Sequence, residues 1–136
     1  MSNKKILIVE DDQDVRKGYE IRLRASHYDT FFAADSATCI MMARKHEPDL
    51  IILDLGLPGG DGFLVMERLK LNMHLTEIPV IVVSARDPYL SRERSLKAGA
   101  KAFLQKPVDN EALLAAIRQC LGQTKSSEAH RIQLQG

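Results

Sequence analysis

Four places in the chain carry side chains able to do chemistry, and each lies at or just past the end of a short apolar run. Glu10, Asp11 and Asp12 follow Ile-Leu-Ile-Val. Asp54 closes Leu-Ile-Ile-Leu-Asp, Ser84 closes Val-Ile-Val-Val-Ser, and Lys106 stands just beyond Ala-Phe-Leu-Gln. Carboxylates brought together repel: two unit charges about 4 Å apart cost roughly 4 kcal/mol at an effective dielectric near 20. A fold that gathers them must protonate one or supply a cation. A hard, oxygen-seeking ion such as Mg²⁺ fits, because it takes one or two carboxylates and fills its other sites with water and phosphate oxygens. The acidic turn repels a bare phosphate, so a phosphoryl ligand here needs the metal. Taken singly, each residue has an ordinary reading: a carboxylate at a strand end caps a helix, a serine turns the chain, a lysine is solvated.

What matters is whether the fold brings them together. Apolar runs at 6–9, 28–33, 50–53, 80–83 and 102–104 alternate with longer stretches of helical period. The first, third and fourth runs are apolar on both strand faces, the mark of parallel strands covered by helices on either side. Between them, Gly62, Val65, Met66 and Leu69 recur at helical spacing, as do Leu113, Ala116, Ile117 and Cys120. Cys39, Ile40 and Ala43 give a shorter stripe. A first helix over 13–25 carries Val15, Tyr19 and Leu23, with Ile21 and Arg22 blurring the pattern, and a fourth over 89–98 is the least apolar. Asp12, Asp35 and Asp109 suit helix starts. Gly99 suits a helix end, and His27 takes the same place after the first helix. Pro48 and Pro79 precede strands, where no ladder donor is lost. Five β-α units follow, which predicts a doubly wound parallel α/β sheet. In such a sheet ligands bind beyond the carboxyl ends of the strands, where the carboxylates, hydroxyl and ammonium converge.

Composition bounds the reading. The chain has 136 residues, is 45% apolar and carries a formal charge of +1, enough for one core and no broad electrostatic preference for nucleic acid, membrane or acidic partners. Cys39 and Cys120 form neither a disulfide framework nor a metal spacing. The first apolar run is too short for a signal-peptide core and no stretch suits a bilayer span, so a cytoplasmic protein is expected. The expected domain covers 4–122, with 123–136 a polar tail or linker stub.

Four motifs in order carry a specific likeness: Ile-Leu-Ile-Val-Glu-Asp-Asp, Pro-Asp-Leu-Ile-Ile-Leu-Asp-Leu-Gly-Leu-Pro-Gly-Gly-Asp-Gly, Pro-Val-Ile-Val-Val-Ser-Ala and Lys-Ala-Gly-Ala-Lys-Ala-Phe-Leu-Gln-Lys-Pro. Over residues 4–121 the chain resembles the response-regulator receiver domains of bacterial two-component signalling. The resemblance implies a flavodoxin-like (βα)5 fold of strand order 2-1-3-4-5. It implies a phosphorelay switch, without turnover of a separate substrate, that takes a phosphoryl group on Asp54 with Mg²⁺. Asp11 and Asp54 would be direct metal ligands, Gly56 would offer its backbone carbonyl, and Glu10 would reach the ion through water; Asp12 caps the first helix. Lys106 would pair with Asp54 at rest and with the phosphoryl oxygens afterwards, and Lys106-Pro107 resembles the family's cis peptide. Ser84 and Phe103 would be the switch pair, relaying the change to the surface formed by the fourth helix, fifth strand and fifth helix.

The implied partners are a sensor histidine kinase or histidine phosphotransfer protein and an output domain or downstream protein. No direct nucleic-acid or membrane contact is expected, and the domain would be a monomer or a phosphorylation-dependent dimer. Lys101 and Ala102 stand where the dimerising transcription-factor subfamily has an acidic pair, which argues against that charge-paired dimer. Gly56 and Arg86 occupy places where the family tunes phosphoryl lifetime. The alternative is a degenerate receiver that only docks. A dehalogenase-type phosphatase would need a second aspartate where Gly56 stands, and a flavin protein would need a donor-rich phosphate loop where Glu10-Asp11-Asp12 stand.

Overall fold

The structure is a computed structural model, and it describes residues 3–57, 62–85 and 88–123. Arg86 and the expected tail beyond Gln123 lie outside the described residues. Five strands and five helices alternate: β1 (Lys5–Val9), α1 (Gln13–Ala25), β2 (Asp29–Ala33), α2 (Ser36–His46), β3 (Leu50–Asp54), α3 (Gly62–Leu71), β4 (Val80–Ser84), α4 (Pro88–Lys97), β5 (Ala102–Gln105) and α5 (Asn110–Cys120). The strands form one sheet of order β2-β1-β3-β4-β5, parallel throughout. The alternation of runs predicts the doubly wound parallel sheet, and the family resemblance its flavodoxin-like strand order.

Strand alternation divides the core in two, because successive side chains point to opposite faces. Leu7, Val9, Ile51, Leu53, Val80 and Val82 pack with Cys39 and Ala43 of α2 and Val65, Met66 and Leu69 of α3. Ile6, Ile8, Leu50, Ile52, Ile81 and Val83 pack with Tyr19 and Leu23 of α1 and Leu113 and Ile117 of α5. The blurred stripe of α1 resolves here: Tyr19 and Leu23 are buried, while Ile21 is exposed. Leu114 and Leu121 pack partly buried against the second cluster. Cys39 and Cys120 are both free thiols.

The helix ends form by local chemistry. Asp12 accepts from the amides of Asp14 and Val15, Asp35 from Thr38, and Asp109 from Ala112, all at 2.8–3.1 Å, satisfying donors that a helix start leaves open. His27 (φ 67°) and Gly99 (φ 108°) turn the chain in the left-handed region after α1 and α4. Glu47 (φ 47°) does so after α2, which the sequence did not signal. Gln123, at the start of the polar segment, is tied to the domain: its side-chain oxygen accepts from the Tyr28 hydroxyl at 2.8 Å. Among the described residues no helix is long and apolar enough to cross a membrane.

Candidate functional site

The sheet register assembles the chemistry. Val9 lies opposite Leu53, so the residues that follow them, Glu10 and Asp54, leave adjacent strands side by side. Asp54 lies opposite Val83, one step before Ser84, and Ser84 lies opposite Gln105, one step before Lys106. The turn residues are held too: the Glu10 amide donates to the Ala33 carbonyl at 3.0 Å and the Lys106 amide to the Ser84 carbonyl at 2.8 Å. Carboxylate oxygens of Glu10, Asp11 and Asp54 come within 4.8 Å of one another. Asp12 turns away to cap α1.

Lys106 reaches into this cluster. Its Nζ donates to Glu10 Oε1 at 2.8 Å and lies 3.4 Å from Asp54 Oδ2. The ion pair with Asp54 is present, but the shorter contact goes to Glu10, a partner that sequence reasoning did not assign. The cause is burial: Glu10 is only 2% exposed, and a buried carboxylate requires a counter-charge. Burial first, and then the hydrogen bond and repulsion from Asp54, push the Glu10 carboxyl from 4.5 up to about 7, against the opposing pull of Lys106. Burial opposes the charge on Lys106, yet the Glu10 hydrogen bond and the nearby carboxylates together hold its ammonium above its ordinary value. Lys106-Pro107 is a cis peptide.

The other named residues fall as follows. The Gly56 amide donates to Asp54 Oδ1 at 3.1 Å, which fixes the direction of that carboxylate; Gly56 itself is exposed. Ser84 is buried at the end of β4. Phe103 is partly buried and packs against the cluster that includes Val82, its neighbour in register. Tyr19, read from the sequence only as part of a core stripe, lies buried within electrostatic reach of the site. Burial raises its pKa, with Lys106 and Glu10 acting in opposite directions.

The donor set fits a divalent ion. Hard carboxylate oxygens gathered within 4.8 Å, with exposed Asp11 open to solvent, are of the kind Mg²⁺ takes alongside water. Glu10, Asp11 and Asp54 are the described side chains whose carboxylate oxygens lie near enough together to share such an ion.

Fold and site together define a class: flavodoxin-like domains with an acidic cluster and a lysine at the carboxyl edge of the sheet. The chain belongs to the response regulator receiver domain family, whose family model matches residues 6–118. It is thus a receiver domain of two-component signalling. It is 38% identical over 114 residues to the response regulator PleD of Caulobacter vibrioides, covering 84% of this chain and 25% of that protein. It is 36% identical over 120 residues to the DNA-binding dual master transcriptional regulator RpaA of Synechocystis, covering 88% and 50%. The chain therefore spans a quarter to a half of these relatives' length. Among solved structures it resembles the receiver domain of a sensor histidine kinase from Pseudomonas aeruginosa, which has a magnesium ion coordinated in its active-site cleft (TM-score 0.82, 26% identity, 90% of this chain and 100% of that one). A CheY-like receiver protein from Methanospirillum hungatei is similar at TM-score 0.81 and 29% identity, over 89% and 95%.

Proposed function

We propose that this domain is a phosphoacceptor switch in which Asp54 takes the phosphoryl group. One oxygen of the Asp54 carboxylate attacks the phosphorus of a donor, the bond from phosphorus to the donor breaks with its electron pair leaving on the donor, and an acyl phosphate results. Hydrolysis ends the state: water attacks the phosphorus, the phosphorus–oxygen bond to Asp54 breaks with its electron pair on the carboxylate, and inorganic phosphate leaves with the water's oxygen. The observation that carries the reading is the meeting of Asp54 with Glu10 and Asp11 and with the Lys106 ammonium, 3.4 Å away. Positioning and charge neutralisation provide most of the catalysis in phosphoryl transfer, and both are built here from side chains at strand ends.

Asp11 and Asp54, the Gly56 carbonyl and, through water, Glu10 would hold Mg²⁺, which supplies positive charge beside the transferring group. The Gly56 amide keeps Asp54 oriented. Lys106 exchanges carboxylate partners for phosphoryl oxygens. The Ser84 hydroxyl then hydrogen-bonds the phosphoryl group, Phe103 follows inward, and the face of α4, β5 and α5 carries the change to a partner, a two-state element biased by one local charge. The donor is a sensor histidine kinase or a histidine phosphotransfer protein. The receiver would act in the cytoplasm on an output domain or a separate protein, as a monomer or as a phosphorylation-dependent dimer.

Acetyl phosphate with Mg²⁺ is the direct test. Intact mass should rise by one phosphoryl group, and the rise should vanish with EDTA and in Asp54→Ala. No gain under conditions that modify another receiver would favour a docking module instead.

A further inference from the structure

α4 is held unlike any other helix of the domain. Its buried residues are Ser91 and Ser95, and none of its side chains joins either apolar cluster. Tyr89 and Leu90, its large apolar residues at the start, are 84% and 69% exposed. Burial of apolar surface is what normally fixes a helix on a sheet, and α4 has little of it. One of its contacts reaches the neighbouring helix: the Arg94 guanidinium lies over the Phe63 ring, 3.8 Å from the centroid.

Phe63 is a firm base for that contact. It packs against the first core cluster and follows Gly62, where an added Cβ would lie 2.8 Å from the Leu55 Cα. The Gly62 amide also donates to the Leu55 carbonyl at 3.3 Å. The first turn of α3 is thereby pressed onto the residue that follows Asp54. A guanidinium stacked on an aromatic face gains both electrostatic and planar contact, which an ammonium reproduces only in part.

We propose that Arg94 and Phe63 form a latch that sets the resting position of α4 and ties this helix to the end of β3 that carries Asp54. The latch operates in the metal-free, unphosphorylated chain, so its test stands apart from the phosphoacceptor reading. Hydrogen exchange of the α4 amides measures it. Arg94→Ala and Phe63→Leu should each speed exchange across 88–97 by about fivefold, the scale of one cation–π pair, with α1 and α5 unchanged. Arg94→Lys, which keeps the charge and hence any ion pair, should fall between. The double variant should exchange no faster than the faster single one. Additive effects, equal protection in Arg94→Lys and wild type, or unchanged α4 exchange in Phe63→Leu would each overturn the latch.

Discussion

α4 and α5 lie on either side of the same edge strand, β5, yet the chain fastens them by opposite means. α5 buries Leu113 and Ile117 in the cluster it shares with α1, and Leu114, Ala116, Cys120 and Leu121 pack partly buried around them. Its start is capped by Asp109. α4 buries two serines; Ser95 is fully buried, and its hydroxyl spends its proton on the Ser91 carbonyl at 2.7 Å inside the same helix. One helix is bound by apolar area and the other is lightly placed. The switch proposed above would use that combination: a fixed frame, and beside it an element whose position a few contacts decide.

The sharpest way to break this contrast is truncation. Leu113→Ala should cost about 3–4 kcal/mol in urea unfolding, since a fully buried leucine loses its transfer energy and leaves a cavity. Ser95→Ala should cost less than about 1 kcal/mol, because among the described residues the hydroxyl bonds within its own helix. Comparable losses at the two positions would mean that α4 is as firmly anchored as α5.

Much of this is legible in the sequence. The runs at 6–9, 50–53 and 80–83 are continuous apolar segments, and the structure places them as the three interior strands. Asp12, Asp35, Asp109, His27 and Gly99 act as read, because caps and left-handed turns are fixed by a few neighbouring atoms. The carboxyl-edge convergence followed from topology alone. What sequence could not supply depends on three-dimensional burial. Glu10 and Asp11 are adjacent acids, and only the fold makes one dry and the other wet, which sends Lys106 to Glu10. The weak stripe of 89–98 gave no sign that serines face inward, and nothing local linked Tyr28 to Gln123, which are 95 residues apart.

The same difference between a dry and a wet group appears at the strand ends, and pH exposes it. Glu10 is raised from 4.5 to about 7 by burial first and by Asp54 second. The folded chain then binds its proton more tightly than the unfolded chain does, so this group favours folding most below pH 4.5 and loses that contribution as pH rises through about 7. In EDTA, urea stability should therefore decline across that window by on the order of 2 kcal/mol, a smaller change than the loss of Leu113. Glu10→Gln should flatten the decline, whereas Asp11→Asn should leave it. A wild-type profile that rises from pH 5 to 7 would contradict the geometry of the cluster.

The smallest expected effect falls on the exposed side of α4. Leu90 is a large apolar residue in solvent, so Leu90→Ala removes little area from the folded core and substitutes a better helix former. Unfolding free energy should stay within about 0.5 kcal/mol of wild type. The same truncation on α5, at half-buried Leu114, should cost clearly more, because that side chain packs against the shared cluster. Since residues at 69% exposure contribute to stability only through what covers them, a larger loss at Leu90 would mean that the α4 face is covered in solution, and the light placement of this helix would then belong to the uncovered chain alone.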